Sequence, residues 1–261
     1  MDSGLDFSPP YSEVGNIFCH TTGWIGETTR HVETWSAPPG LLLKVSGGSD
    51  FYIGPEGETI LRVDDAQDET GRLPLSALDR EILLGPALVL ALALRGSWSL
   101  HASAAMFRGQ TTVFLGESGR GKSTLAAYLG HSGWQQVADD ILPASLEPDG
   151  VRVWPRFPQL KLPPDQQPAL SLPEQLPLER ICVLEDTEAE AAPGLQLLPP
   201  GRAVQELIRH TAGSRLFDPA LLARHLAFCA AAAGQIPVYR LAYPHREEAL
   251  PEIKTLLESL C

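Results

Sequence analysis

The sequence has few of the features that mark several common protein classes. Its 261 residues include only four cysteines, at positions 19, 182, 229 and 261, and no two of them have the spacing of a metal site or a redox pair. The longest apolar run, residues 82–94, has 13 residues, which is too short to cross a bilayer and is typical of a buried helix. We therefore expect reduced thiols and no insertion into a membrane.

Basic residues are also scarce. Lys and Arg number 20 against 32 Asp and Glu, which gives a formal net charge of −12. Such an acidic chain is a poor general ligand for nucleic acid or an anionic membrane, although a local basic pocket is allowed. The acidic, turn-rich residues 1–13 do not resemble a secretory signal. We expect a cytoplasmic protein that binds neither nucleic acid nor membrane.

The chain contains two parts with different patterns. Residues 1–75 are predicted to form a smaller β-rich lobe, with a strand at 41–45 and a hairpin around the turn 54–57. In residues 76–261 helices and strands interleave, which indicates a mixed α/β core. Nine prolines between positions 143 and 177 exclude long helices there and favour edge strands and ordered loops.

The predicted elements of the second part begin with an apolar helix over residues 76–95. Ser76 is a suitable N-cap, Gly85-Pro86 should kink the helix and Gly96 should end it. The other predicted helices cover 122–129, 202–210, 219–233 and 251–260. The predicted strands cover 98–107, 111–115, 181–184, 195–198 and 238–241, with a short strand leading into residues 137–140 and an acidic loop at 185–190.

The segment GESGRGKST, at 116–124, lies between an apolar strand and a helix. It has the pattern of Gly, four residues, Gly, Lys and then Ser or Thr. Glycines let backbone N–H groups turn toward phosphate oxygens, and the helix presents its positive N-terminal end to them. The alternative is a glycine-rich turn that binds nothing. We predict that a nucleoside triphosphate binds to Gly116, Glu117, Ser118, Gly119, Arg120, Gly121, Lys122, Ser123 and Thr124.

Within this segment, Lys122 would reach the β- and γ-phosphates and the Ser123 hydroxyl would ligate Mg²⁺. Asp139 and Asp140 lie close behind, since Asp139 is 17 positions beyond Lys122 (139 − 122). On a strand parallel to the one that feeds the loop, one carboxylate could bind Mg²⁺ while the other orients or deprotonates an attacking hydroxyl. The alternative is a turn or a helix cap.

Other candidates depend on less specific signals. His101 is either a core residue or, one hairpin away from Gly116, a side chain that reaches the phosphates. Arg156 and Lys161, among the prolines, are candidates for a cationic clamp on substrate or phosphate. Their alternative is solvated charge on a loop. The weakest candidates, whose spacing does not direct them inward, are Arg209, His210, Arg215 and Arg240.

Three strings, LHAS at 100–103, GESGRGKST and VADD at 137–140, resemble in this order the HPr kinase/phosphorylase family. That family shares its phosphate-loop fold with phosphoenolpyruvate carboxykinases, and the short gap from loop to Asp-Asp is the specific feature. The resemblance implies an α/β P-loop core of this type with ATP and Mg²⁺ as cofactors. It implies that His101 lies near the transferred phosphate, and that the pair Asp139 and Asp140 supplies the catalytic base and further contacts around the metal. Of the two, we take Asp139 as the base and Asp140 as the residue on the metal side.

Further strings, LLGPALVLALALRGSWSLHASA, FPQLKLPPD and IPVYRL, resemble the HPr-kinase-like proteins of bacterial peptide-modification clusters. The similarity covers most of residues 80–245. It implies transfer of phosphate to a C-terminal serine of a lasso-peptide precursor. The Glu-Ile-Arg-Gly segment of the HPr kinases has no counterpart, since residues 206–210, ELIRH, lack the glycine.

Three functions are therefore compatible with the sequence. The first is a kinase that acts on a serine of a peptide or protein, the second is an ATP-hydrolysing switch or assembly factor, and the third is a small-metabolite kinase.

Overall fold

The computed structural model describes residues 11–25, 27–63, 74–155, 157, 172–188 and 190–261. The chain divides into two compact units. The first contains Met1–Arg95 and Gly213–Leu222, and the second contains Gly96–Ala212 and Ala223–Cys261. The sequence placed the boundary after residue 75. In the structure the helical residues 77–94 belong to the first unit and do not begin the second.

The first unit contains a five-stranded antiparallel sheet in the order β1-β2-β3-β4-β5. Its strands are β1 Ile17–Ile25, β2 Thr28–Ala37, β3 Gly40–Val45, β4 Asp50–Ile53 and β5 Ile60–Val63. The predicted strand at 41–45 and the predicted hairpin are confirmed. The hairpin turn requires Gly57, which has a φ of +68° and donates its N–H to the Gly54 carbonyl at 3.0 Å.

Two short helices, α1 Ala77–Ile82 and α2 Leu88–Leu94, follow in the first unit, joined by a π-helical turn. Ser76 caps α1, because its Oγ accepts the Asp79 N–H at 2.9 Å. Gly85 leaves helical geometry, with φ −102° and ψ −106°, immediately before Pro86. The predicted cap and kink are therefore confirmed.

The second unit contains a seven-stranded sheet in the order β11-β12-β10-β7-β6-β8-β9. The strands are β6 Ser97–Phe107, β7 Gln110–Leu115, β8 Gln135–Glu147, β9 Gly150–Val153, β10 Leu176–Asp186, β11 Gly194–Leu197 and β12 Val238–Tyr243. The helices are α3 Lys122–His131, α4 Pro200–Arg209, α5 Pro219–Gln235, which begins in residues of the first unit, and α6 Leu250–Glu258. The predicted mixed α/β fold is confirmed.

A hydrophobic core of the second unit contains residues of helices α3 and α6 and of the sheet. Side chains of α3 and α6, including Leu125, Leu129 and Ile253, are fully buried with Phe114 of β7. Strands β7, β10 and β12 are parallel to one another, so their carboxyl ends meet at a single edge. In open α/β sheets this is the edge where ligands bind.

Strand β8 differs from its prediction. The sequence predicted a short strand that leads into the aspartate pair, but β8 has 13 residues and continues past Pro143. The reason is tertiary, because β6 pairs with it along most of its length, from Ser97↔Ser145 to Met106↔Gln135. β8 is antiparallel to β6, which is antiparallel to β7, so β8 runs in the same direction as β7 but is not its neighbour.

Smaller differences concern element ends. The predicted acidic loop begins two residues too early, because Glu185 and Asp186 belong to β10. Helix α4 begins at Pro200 and ends at Arg209, so His210 follows the helix. Among the described residues, none of the helices combines the length and apolar character needed to cross a bilayer.

Candidate functional site

The phosphate loop, residues 116–121, joins the end of β7 to the first turn of α3. Its three glycines have positive φ values, +153° at Gly116, +84° at Gly119 and +79° at Gly121. A Cβ at Gly116 would lie 3.3 Å from the Leu184 carbonyl oxygen, and one at Gly121 would lie 2.6 Å from the Tyr243 hydroxyl. Only glycine allows this backbone path, in which N–H groups can approach an anion closely.

Lys122 places a positive charge inside this loop. The side chain is only 7% exposed, and its Nζ donates to the carbonyls of Gly116 at 2.7 Å and Glu117 at 3.2 Å. Tyr243 of β12 stabilises the loop, because its hydroxyl donates to the Arg120 carbonyl at 2.8 Å. Burial raises the pKa of this hydroxyl, which keeps it protonated as a donor. The loop thus has a fixed shape and a cation of its own.

Asp139 on β8 is in register, through β6, with the end of β7, the strand that leads into the loop. It is opposite Ser103 on β6, and Ser103 is opposite Phe114 on β7, two residues before Gly116. Neighbouring strands are about 4.8 Å apart, so the Asp139 backbone is about 10 Å from that of β7. The buried Ser103 hydroxyl donates to Asp139 Oδ1 at 2.6 Å and fixes the carboxylate. Asp139 is therefore held in register with the end of the strand that leads into the loop.

Asp140 has an unusual backbone conformation, with a φ of +123°. In a regular strand, successive side chains point to opposite faces, so Asp139 and Asp140 would diverge. Here Asp139 contacts Ser103, and Asp140 Oδ1 lies 3.3 Å from Nδ1 of His101. His101 and Ser103 are two positions apart on β6 and share a face. The strained φ thus brings both carboxylates to that face, and such strain is commonly found at functional sites.

An open cavity of about 200 Å³ lies beside the loop. It is lined by His101, by residues 116–118 and by residues 209–212. The last of these segments is anchored to β6, because His101 N–H donates to the His210 carbonyl at 2.8 Å and Ala212 N–H donates to the Ser99 carbonyl at 2.7 Å. His101, whose role the sequence left open, therefore shares a cavity with Gly116.

Two arginines form ion pairs with acidic groups at this edge of the sheet. Arg209 pairs with Glu117 of the loop, and Arg120 of the loop pairs with Asp186 at the end of β10. Arg209 and His210, ranked among the weakest candidates because nothing in their spacing points inward, both line the cavity. Residues 117 and 209 are 92 positions apart, so local spacing carries no signal of this contact.

Of the other cationic candidates, the described residues Arg215 and Arg240 do not line the cavity. Arg240 lies 3.5 Å from Glu185, and Arg215 is in the first unit. Arg156 and Lys161 lie outside the described residues, so the predicted substrate clamp stays a prediction.

His210 is buried between charged groups, with 7% of its side chain exposed. Burial lowers the pKa of His210 to about 4, and the positive charges of Lys122 and Arg209 add to the effect. The carboxylate of Glu117 opposes this shift. Glu206 Oε2 lies 3.5 Å from His210 Nε2, and the other oxygen of Glu206 lies 3.8 Å from Arg202. His210 is therefore a neutral hydrogen-bonding group at pH 7. The i,i+4 spacing of Glu206 and His210 was a signal that sequence analysis could have used.

We expect the protein to lose stability through His210 as the pH falls from about 6.5 to about 4. In this window the unfolded chain binds a proton at His210 and the folded chain does not, so protonation favours unfolding. The melting temperature of His210→Gln should depend less on pH between 7 and 4.5 than that of the wild type. His131→Gln, at an exposed histidine, is the control. An unchanged pH dependence in His210→Gln would contradict the prediction.

The residues fit a nucleotide with Mg²⁺ better than a metal held by protein alone. Ser123 and Thr124 are exposed on the first turn of α3, and Lys122 and the glycine backbone form an anion-binding cradle. Within the described part of the chain, no group of three or more His, Cys, Asp or Glu side chains is arranged to hold a metal ion. Mg²⁺ typically takes one or two carboxylates and completes its shell with phosphate oxygens and water.

No protein-family model matches the chain, and no curated protein matches it either. Among solved structures it is similar to the HPr(Ser) kinase/phosphatase from Coxiella burnetii, with 16% sequence identity and a TM-score of 0.37. That match covers 62% of this chain and 94% of the other.

Proposed function

We propose that this protein is a Mg²⁺- and ATP-dependent kinase that transfers the γ-phosphate to a serine hydroxyl of a peptide or protein. One observation carries the proposal. Asp139, Ser103 and Phe114 are aligned across β8, β6 and β7, so a carboxylate fixed by Ser103 lies two strands away from the end of β7, where the phosphate loop begins. A carboxylate near a phosphate loop can orient the hydroxyl that accepts the phosphate.

The residues of the loop would bind the nucleotide. Backbone N–H groups of this segment would bind the phosphates. Lys122 Nζ, which donates to the loop carbonyls of Gly116 and Glu117, would bind the β- and γ-phosphate oxygens. Ser123 and Asp140 would hold Mg²⁺, which supplies charge neutralisation on the phosphates when it is bound. His101 positions Asp140 through their 3.3 Å contact. ATP itself is implied by the family resemblance, since the loop contacts phosphates and not the base.

Asp139 would act on the acceptor. Its carboxylate, held at one oxygen by Ser103, orients the serine hydroxyl and takes its proton. A bond forms between the acceptor oxygen and the γ-phosphorus, and the bond from that phosphorus to the bridging oxygen breaks. The electron pair of the broken bond leaves with ADP. The chain contributes mainly position and charge, which is the usual basis of phosphoryl transfer.

The finer proposal concerns the acceptor. The strings at 83–104 and 236–241 that resemble the kinases of lasso-peptide clusters support a precursor peptide with a C-terminal serine as substrate. A net charge of −12 is consistent with a cytoplasmic protein that acts on a peptide and does not bind nucleic acid.

The test is incubation of the purified chain with γ-labelled ATP, Mg²⁺ and synthetic peptides that end in serine. We expect label on the peptide, with a mass increase of one phosphate at the terminal serine, and no label on the same peptide ending in alanine. If inorganic phosphate appears at one rate with and without peptide, the protein is an ATP-hydrolysing switch. Label on small metabolites alone would identify a metabolite kinase.

A further inference from the structure

Arg209 is positioned like a ligand-binding residue and not like an ordinary surface cation. It is the last residue of α4, its side chain is 62% exposed, and it pairs across the cavity with Glu117, which is 54% exposed. Exposed ion pairs of this kind contribute little to stability. A stronger anion can therefore replace the Glu117 carboxylate without a large cost to the fold.

Lys122 identifies which end of the phosphate loop faces this arginine. In loops of this pattern the lysine ammonium group reaches the β- and γ-phosphates. Lys122 Nζ lies at the carbonyls of Gly116 and Glu117, so this flank of the loop is the γ-phosphate end. The cavity that Arg209 lines adjoins the same flank.

The backbone around Arg209 is fixed relative to the site. The backbone carbonyl of the next residue, His210, accepts the backbone N–H of His101 at 2.8 Å, and Thr211 forms a β-bridge with Leu100 of β6. His101 in turn contacts Asp140. Arg209 therefore projects from a segment attached to the strand that supports the aspartate pair, and its long side chain can change partners while its backbone stays in place.

We propose that Arg209 binds the γ-phosphate of the nucleotide, whose terminal oxygens replace the Glu117 carboxylate as its partner. The inference rests on the proposed nucleotide site. A guanidinium group offers two parallel N–H donors that match a phosphate as well as a carboxylate, and it stays charged at all relevant pH values. In this role Arg209 stabilises charge on the transferring group, and Glu117 holds the guanidinium ready at the cavity.

The test compares triphosphate and diphosphate binding by calorimetry with the full chain, using β,γ-methylene-ATP and ADP in the presence of Mg²⁺. Arg209→Gln should weaken binding of the triphosphate about tenfold and change ADP binding by less than about twofold. Arg209→Lys, which keeps the charge but not the paired donors, should give an intermediate loss. Arg202→Gln, on the same helix, is the matched control and should change neither affinity.

Two outcomes would overturn the inference. Equal losses for both nucleotides would mean that Arg209 acts only by holding the loop through Glu117, and no loss for either would leave an ordinary surface ion pair. Glu117→Gln provides a second test, since removing the competing carboxylate should tighten triphosphate binding in the wild-type background more than in Arg209→Gln. If the protein binds nucleotide with this selectivity but phosphorylates no acceptor, the proposed function fails and the role of Arg209 stands.

Discussion

Asp139→Asn is expected to reduce phosphate transfer by at least about a hundredfold while the affinity for ATP stays close to that of the wild type. The amide cannot take the proton of the acceptor hydroxyl, but its oxygen can still accept the hydrogen bond from Ser103 that now measures 2.6 Å. The backbone of β8 and the position of the side chain should therefore be preserved. The measurement is kcat for peptide phosphorylation together with ATP binding by calorimetry.

The matched control is Asp149→Asn, which makes the same chemical change just beyond the far end of β8. Asp149 pairs with Arg152 at the surface and is remote from the loop in the strand register. We expect wild-type transfer from this variant. Transfer at the wild-type rate by Asp139→Asn would remove Asp139 from its role as base, and loss of ATP binding would move it to the nucleotide site.

Lys122→Met is expected to weaken ATP binding about ten- to a hundredfold, because a charge-assisted contact to the β- and γ-phosphates is lost. Methionine keeps an apolar stem of similar length at a side chain that is only 7% exposed. The melting temperature should therefore change little, which separates a binding defect from unfolding. Calorimetric titration with ATP and a thermal melt measure the two quantities.

Lys254→Met serves as the control for this variant, since Lys254 forms an i,i+4 pair with Glu258 on the surface of α6 at 2.8 Å. Its ATP affinity should equal that of the wild type. If Lys122→Met binds ATP as tightly as the wild type does, the loop does not bind phosphate in the way its sequence predicts, and the proposed kinase activity loses its basis.

The sequence predicted local structure correctly where neighbouring residues determine it. The glycines of GESGRGKST adopt the positive φ values that the loop needs, and the cap at Ser76 and the kink at Gly85-Pro86 follow from short-range sterics and hydrogen bonding. Element ends were less accurate. The early end predicted for β8 was wrong, because its pairing with β6 maintains the strand past Pro143.

The candidate residues His101, Lys122, Asp139 and Asp140 follow from strings that have a recognisable order, and the structure brings His101 and Asp140 into contact. Arg209 and His210 were among the weakest candidates. Their place at the cavity depends on a backbone pairing between residues 210–212 and β6, and no periodicity in the sequence indicates it.

The sequence alone determined the phosphate loop, the strand before it, the helix after it and the presence of an acidic pair close behind. These follow from the conformational freedom of glycine and from hydrophobic patterning over a few residues. Only the tertiary structure decided that β6 lies between the loop strand and the aspartate strand, that Asp140 adopts a φ of +123°, and that Arg209 meets Glu117 across 92 positions. The physical reason is that strand pairing and long-range ion pairs depend on how distant segments pack together, which local preferences do not encode.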